Sequence, residues 1–255
     1  MNNNLLSILT VLAPLIPGLL AFFDINFFDI ISKFKGGIPK GFIIFISGTN
    51  GVGKTTTALE IQKKLGMRYI HVNVLREALR SQEELFKKAG NEALYNILKE
   101  PSYLLDNPNN SYEIIESDFQ KQCEILGPVI TRVAKYYYEE KLNTVFEGIN
   151  ISPKILQRSG FSSLYVLFIY LCVTDKDEFN KRLDKKAGDD AEKRNIYRQN
   201  IDKIIDIGNI IKKDFESVDD KDRVINKLYI DNTALSVKKV TRKIIKEVRK
   251  ICNLQ

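Results

Sequence analysis

Histidine is nearly absent from this chain: among 255 residues, His71 is the only one. A His-rich metal site is thereby excluded. A Ser-His-Asp triad would have to be built around a residue that reads more simply as a surface or core-edge side chain. Cysteine is scarce as well. Cys123, Cys172 and Cys252 lie far apart and form no CxxC pair, so neither a disulfide framework nor a zinc site is indicated, and a reducing compartment fits. No internal repeat is visible. Charge is missing altogether from Leu5 to Phe23, and the apolar run resumes at Ile25–Phe28.

That first stretch is long enough to cross a bilayer as a helix, for which about 20 apolar residues suffice. Lys33, Lys35 and Lys40 follow it, whereas Met1–Asn4 carries no basic side chain. The positive-inside bias then leaves the rest of the chain in the cytoplasm, and the missing basic n-region argues against a cleaved signal. Pro14 and Pro17-Gly18 would break a simple span, so a hairpin of two short helices on a membrane or on the domain stands beside it. Residues 1–35 are accordingly set apart as an apolar N-terminal segment, with membrane attachment through residues 5–28. Gly36–Pro39 reads as a linker, and residues 41–255 form the main domain.

Acidic residues are outnumbered, giving a net charge of +7. Such a balance suits an anionic partner: a nucleotide, a phosphorylated metabolite, RNA or an acidic membrane surface. Much of the excess sits near the C-terminus in Lys238, Lys239, Arg242, Lys243, Lys246, Arg249 and Lys250, opposite an apolar stripe of Val237, Val240, Ile244, Val248 and Ile251. Aromatic residues are not interleaved there, so this helix reads as a solvated face over a packed one, with nucleic acid disfavoured as a partner.

From residue 41 strands alternate with helices. Phe42–Ile46 is a continuous apolar run, as in a strand buried on both faces. A helix is expected from Lys54 to Leu65, a strand over Arg68–Val72 and a helix over Val74–Ala89. Tyr112–Lys141 reads as a long helical region broken near Gly127-Pro128. Further strands are expected at Thr144–Phe146, Tyr165–Val173 and Leu228–Ile230, with a charged helical region from Asp175 to Phe215. This alternation implies a three-layer α/β/α domain around a mainly parallel sheet of about five strands.

Between the first strand and the first helix lies Gly48-Thr49-Asn50-Gly51-Val52-Gly53-Lys54-Thr55, followed by Thr56. It meets the full GxxxxGK[ST] pattern, which arises by chance in roughly one chain of this length in a hundred, and its strand-loop-helix context is the required one. The glycines let backbone N–H groups approach phosphate oxygens, and the helix N-terminus adds its positive end. Lys54 is expected at the β- and γ-phosphates of ATP and Thr55 on Mg²⁺. The domain is therefore read as a P-loop NTPase. GTPases carry an Asn/Thr-Lys-x-Asp segment that reads the base, and none is present.

A single acid, Glu147, ends the strand Thr144–Phe146. In an open parallel sheet that end faces the ligand crevice, so Glu147 is placed to act on Mg²⁺ or its water. Cations that could follow a migrating phosphoryl group are supplied by Lys181, Arg182, Lys185, Lys186, Lys193, Arg194 and Arg198. Gly188-Asp189-Asp190 interrupts that run, which suits a helical lid. Arg182 and Arg194 are the candidates for contact with ATP.

In order and spacing, Ile46–Thr56, Leu75-Arg76-Glu77-Ala78-Leu79-Arg80, Phe119-Gln120-Lys121-Gln122 and Phe146-Glu147-Gly148-Ile149-Asn150-Ile151-Ser152-Pro153 resemble segments of the archaeal 2-phosphoglycerate kinases. The resemblance covers about residues 42 to 232, and its phosphate loop is the one individually specific motif. It implies ATP-dependent phosphorylation of 2-phosphoglycerate to 2,3-bisphosphoglycerate. Arg76 and Arg80, one helical turn apart, share a face and suit an acceptor bearing both carboxylate and phosphate. Val72-Asn73 stands where the family usually has Thr-Asp, and Asn150 where it usually has His. Asn73 can orient a hydroxyl but is a very weak base. Phosphoryl transfer depends mostly on positioning and charge stabilisation, so activity is compatible with that change. Asn73, Arg76, Arg80 and Asn150 are the candidate acceptor residues. Two other readings stay open: a kinase acting on a nucleotide, sugar or RNA end, and a non-catalytic ATP-binding switch at a membrane.

Overall fold

The computed structural model describes residues 38–88, 92–99, 111–154, 165–218 and 226–252. The apolar N-terminal segment expected over residues 1–35, with its membrane reading, lies outside the described residues. Among the described residues no helix is long and apolar enough to cross a membrane.

Five strands form one sheet: β1 (Ile43–Ser47), β2 (Arg68–His71), β3 (Thr144–Glu147), β4 (Val166–Cys172) and β5 (Asn226–Asp231). Their spatial order is β2-β3-β1-β4-β5 and every pairing is parallel. The helices among the described residues are α1 (Lys54–Leu65), α2 (Val72–Arg80), α3 (Glu83–Lys88), α4 (Glu92–Lys99), α5 (Tyr112–Glu139), α6 (Lys176–Ala187), α7 (Ala191–Gln199), α8 (Ile201–Ser217) and α9 (Val237–Ile251).

The central strands are apolar at every position because both of their faces are covered. Phe45, Phe146 and Phe168 point to the side carrying α5 and α8, and Ile44, Val145 and Leu167 to the side carrying α1 and α9. Each fully buried phenylalanine contributes roughly 1.5–3 kcal/mol by leaving water, so the sheet is anchored from its middle. The expected three-layer α/β/α domain is therefore what forms.

Several expected boundaries change: Val72 passes from the strand expected over Arg68–Val72 to the start of α2, β5 extends beyond Leu228–Ile230, and the helical region from Asp175 to Phe215 divides into α6, α7 and α8. The helix expected over Val74–Ala89 starts two residues earlier and divides into α2 and α3. The Ser81 hydroxyl folds back to donate to the Ala78 carbonyl at 2.7 Å, and the Ser81 N–H closes the turn onto Glu77. Such local competition by serine ends a helix. Conversely, the break expected near Gly127-Pro128 does not occur, and α5 runs unbroken through Pro128. Pro128 and Glu124, the residue whose carbonyl it strips of a donor, are both exposed, while Phe119, Cys123, Leu126 and Ile130 are buried in the core. Water can take up the freed carbonyl on that face, and packing on the other holds the rod together.

Sheet order places the site. From β1 the chain moves to β2 on one side, and from β4 to β5 on the other. The crevice above the strand ends therefore opens at the β1/β4 boundary. Register puts Ile46, Glu147 and His71 level with one another at the C-terminal ends of β1, β3 and β2.

Candidate active site

The loop after β1 needs glycine for steric reasons. At Gly48 (φ +144°) a Cβ would meet the Leu171 carbonyl oxygen of β4 at 2.1 Å, so no other residue fits. Gly53 takes the left-handed conformation at the start of α1, which has no side-chain cap and no acidic residue in its first turn. Its N-terminal N–H groups and dipole are thus left to an anion. Three outside contacts brace the loop. Asn232 donates its side-chain amide to the Val52 carbonyl at 2.9 Å, the Thr49 hydroxyl donates to the Ile204 carbonyl of α8 at 3.1 Å, and Lys186 of α6 reaches Asn50 Oδ1 at 3.1 Å.

Lys54 is buried and donates to the Thr49 carbonyl at 2.8 Å. Burial lowers its pKa to about 8, against the opposing pull of Glu147. Thr55 and Thr56 stand exposed on the first turn of α1.

Glu147 is the centre of the arrangement. Its side chain is 1% exposed, and a single oxygen, Oε1, accepts from the Thr55 hydroxyl, the Tyr69 hydroxyl and His71 Nε2, each at 3.0 Å. His71 Nδ1 accepts from the Asn73 N–H at 3.2 Å, so the ring in this arrangement carries its proton on Nε2 and donates it to the carboxylate. Burial alone would push the Glu147 carboxyl up. The His71 hydrogen bond and the Lys54 charge outweigh it and hold the carboxyl below its usual range. Burial, reinforced by the Glu147 charge, pushes the Tyr69 phenol up, so it remains a donor.

Among the described residues no group of three or more His, Cys, Asp or Glu gathers as a ready-made metal cage. A hydroxyl and an ionised carboxylate 3.0 Å apart beside a phosphate loop are hard oxygen donors of the kind Mg²⁺ takes when substrate phosphates and water complete its shell. The residues fit that ion.

Where the acceptor residues are expected, α2 follows β2 directly. Val72 presses so closely on Gly148 that a Cβ added there would sit 2.7 Å from Val72 Cβ. Arg76, one turn on and on the same face as Val72, is buried, whereas both oxygens of Glu77 accept from the Arg80 guanidinium at 2.9 and 3.0 Å. The two arginines thus have different surroundings. Asn73 is half-buried at the first turn. Asn150 is buried and donates to Gln122 Oε1 at 3.3 Å, while its own Oδ1 has no partner among the described residues.

The segment expected to form a lid is a helical hairpin of α6 and α7, tied by Arg198 to Asp184 at 2.8 and 3.2 Å. Arg182 turns to Glu178 and to the carbonyls of Asn232 and Thr233, and Arg194 to the Gly188 carbonyl at the hairpin turn. Of the lid cations, Lys186 is the one whose hydrogen bond reaches the phosphate loop.

Tyr69, His71 and Asn232 carry no motif, and sequence reasoning passed over them. One signal was available for the first two. They alternate at the C-terminal end of a strand, where ligand crevices lie.

No family model matches the sequence. Curated relatives do: 2-phosphoglycerate kinases of Pyrococcus horikoshii (24% identical over 169 residues), Thermococcus kodakarensis (28% over 169) and Methanopyrus kandleri (27% over 220). The alignments take in 65%, 64% and 82% of this chain but 53%, 54% and 63% of the relatives, so the chain spans under two thirds of their length. Similar solved structures include a sugar kinase from Janibacter (TM-score 0.47, 11% identity, 80% of this chain and 92% of that one) and shikimate kinase from Acinetobacter baumannii (0.43, 15%, 86% and 97%). These superpositions are loose, and the fold assignment rests on the strand order and the phosphate loop.

Proposed function

We infer that this chain, a diverged relative of the archaeal 2-phosphoglycerate kinases, transfers the γ-phosphoryl group of ATP to a hydroxyl of a small phosphorylated acid, with 2-phosphoglycerate as the leading acceptor. The observation that carries the reading is the convergence of Thr55, Lys54 and Glu147 at the mouth of an uncapped helix. Beside them α2 brings a buried arginine to the same strand ends.

In this reading the loop N–H groups and Lys54 cradle the phosphates, and Thr55 with Glu147 would hold Mg²⁺, which neutralises phosphate charge when bound. The acceptor oxygen attacks the γ-phosphorus, the bond to the β–γ bridging oxygen breaks, ADP leaves, and the hydroxyl proton is released. Lys54 and Lys186 stand where negative charge gathers on the transferring group. Arg76 offers a guanidinium to the acceptor's carboxylate or phosphate. Asn73 orients the hydroxyl without removing its proton, a division of labour open to a reaction governed by positioning. Arg182 and Arg194, the candidates for contact with ATP, would have to leave Glu178 and the Gly188 carbonyl to reach the nucleotide.

An acceptor screen coupled to ADP release, with 2-phosphoglycerate included, tests this. Turnover stimulated by that acid is expected, and ATP binding with no stimulation by any acceptor would leave the switch reading standing. Asn73→Asp should preserve or raise the rate, and its total loss would show a site rebuilt for another acceptor. The uncharged run from Leu5 to Phe23, resumed in Ile25–Phe28 and followed by lysines, supports attachment of this domain to the cytoplasmic face of a membrane. Fractionation of the full chain between membrane and supernatant tests that separately.

A further inference from the structure

The C-terminal helix carries a feature the kinase reading leaves unused. In α9 the buried residues are Val240, Thr241, Ile244 and Val248. At 100° per residue these occupy one quadrant of the helix. Lys238, Lys239, Arg242, Lys243, Lys246, Arg249 and Lys250, all exposed, fall within one arc of about 140° directly opposite. The helix contains one acid, Glu247, at the edge of that arc. It pairs with Lys250 at 3.1 Å, and no other cation of α9 has an acidic partner among the described residues. The last turn of the neighbouring α1 is basic as well, through Lys63 and Lys64.

Like charges on adjacent turns repel, and beyond Arg249 and Lys250, which suit the negative end of the helix dipole, the stripe adds little to the helix's own stability. An anionic partner with charge spread over a plane would relieve that repulsion. RNA is the less suitable surface, since no aromatic side chain is exposed among these cations for a base to stack on. The chain's entry into the domain points the other way. Ile38, the first described residue, packs against the same core cluster that α9 covers. The stretch just before it holds Lys33 and Lys35 and, beyond them, the uncharged run from Leu5 to Phe23.

We propose that the cationic stripe of α9 is a docking surface for an anionic lipid bilayer, which it meets with the headgroup phosphates and carboxylates opposite its seven basic side chains. A single weak anchor holds a protein on a membrane only marginally, and a polybasic patch is the usual second signal. The active-site crevice opens at the C-terminal ends of the strands, while Ile38 and the last turns of α1 and α9 lie at the other end. Docking there leaves the crevice open to solvent.

The proposal takes its context from the membrane reading of residues 5–28, but its test does not depend on it. The full chain and a full-length Lys239→Gln, Arg242→Gln, Lys246→Gln, Arg249→Gln variant are sedimented with two kinds of vesicle, phosphatidylcholine alone and phosphatidylcholine with phosphatidylserine. Each basic side chain near an anionic surface is worth about a fivefold factor in partitioning. The wild type should therefore prefer the anionic vesicles by a factor that falls steeply with salt. The variant, lacking four of these side chains, should lose roughly several hundredfold of that preference while its kinase activity is unchanged. Equal binding of wild type to both vesicles, or an anionic preference the variant retains, overturns the role of α9 and leaves the apolar segment as the anchor. Displacement of the wild type from anionic vesicles by a small molar amount of RNA overturns it in favour of nucleic acid.

Discussion

Replacing Lys54 by Met removes the ammonium group from the phosphate loop while keeping much of the apolar stem. In the folded protein this lysine is 8% exposed, and its pKa falls from 10.5 to about 8 because burial disfavours the charged form. Unfolding returns it to water and to the ordinary value. Between about pH 8 and 10.5 the unfolded chain therefore binds more protons than the folded one, and stability must rise with pH across that window. At about 1.4 kcal/mol per unit, holding the charge in place costs the empty protein about 3 kcal/mol at neutral pH. The variant avoids that cost but leaves the Thr49 carbonyl without its donor, a loss of about 1–1.5 kcal/mol. Lys54→Met should therefore stabilise the nucleotide-free protein at neutral pH by about 1–2 kcal/mol, read from urea midpoints, with the gain gone by pH 10.5. With ATP and Mg²⁺ the order should reverse: the wild type gains stability by ligand linkage and the variant does not. A wild-type stability flat across the window, or a variant less stable at neutral pH, would refute the claim that a strained buried charge is held ready for phosphate.

Glu147→Gln keeps the shape of the side chain but removes its charge, so turnover should fall roughly a hundredfold. Calorimetry should show ATP binding that no longer responds to Mg²⁺, and a response equal to wild type would remove Glu147 from the metal. Gly148→Ala sets a Cβ 2.7 Å from Val72 Cβ. It should cost about 1–3 kcal/mol by overpacking, and by displacing α2 it should raise the acceptor KM more than the ATP KM. An unchanged acceptor KM would separate α2 from acceptor binding. Arg76→Ala should likewise damage acceptor use, and a defect confined to ATP would contradict its assignment. Pro128→Ala restores a donor to the Glu124 carbonyl and should stabilise the protein by about 1 kcal/mol with unchanged activity. Destabilisation in a thermal melt would mean that the restriction Pro128 places on the unfolded chain outweighs the missing donor.

How far the site was legible varies residue by residue. Gly48, Gly53, Lys54 and Thr55 were readable in advance because contiguous residues form one loop whose geometry is local. The spacing marks glycine as required there, although the clash that requires it at Gly48 is with the Leu171 carbonyl of β4 and belongs to the fold. The sheet was equally open to reading, since strands buried on both faces must be apolar throughout. Pro128 misled because its effect depends on which side of α5 meets water, and that is a tertiary fact. Glu147 could be ranked as an acid at a strand end. That it binds through one oxygen to Thr55, Tyr69 and His71 could not be read, since β3 lies between β1 and β2 only once the sheet has ordered itself. His71 is the plainest case. In the sequence it is a lone histidine, and in the fold it is one of the groups, with Lys54 and Tyr69, that hold a buried carboxyl below its usual range. Covalent order therefore determined the phosphate loop, the buried strands and the cationic stripe of α9, because each depends on spacing within a short segment. Only the tertiary structure decided which side chains surround Glu147, and that Arg76 is buried while Arg80 is partly exposed. Those outcomes depend on strand order and on helix faces, which bring distant residues to the same few ångströms.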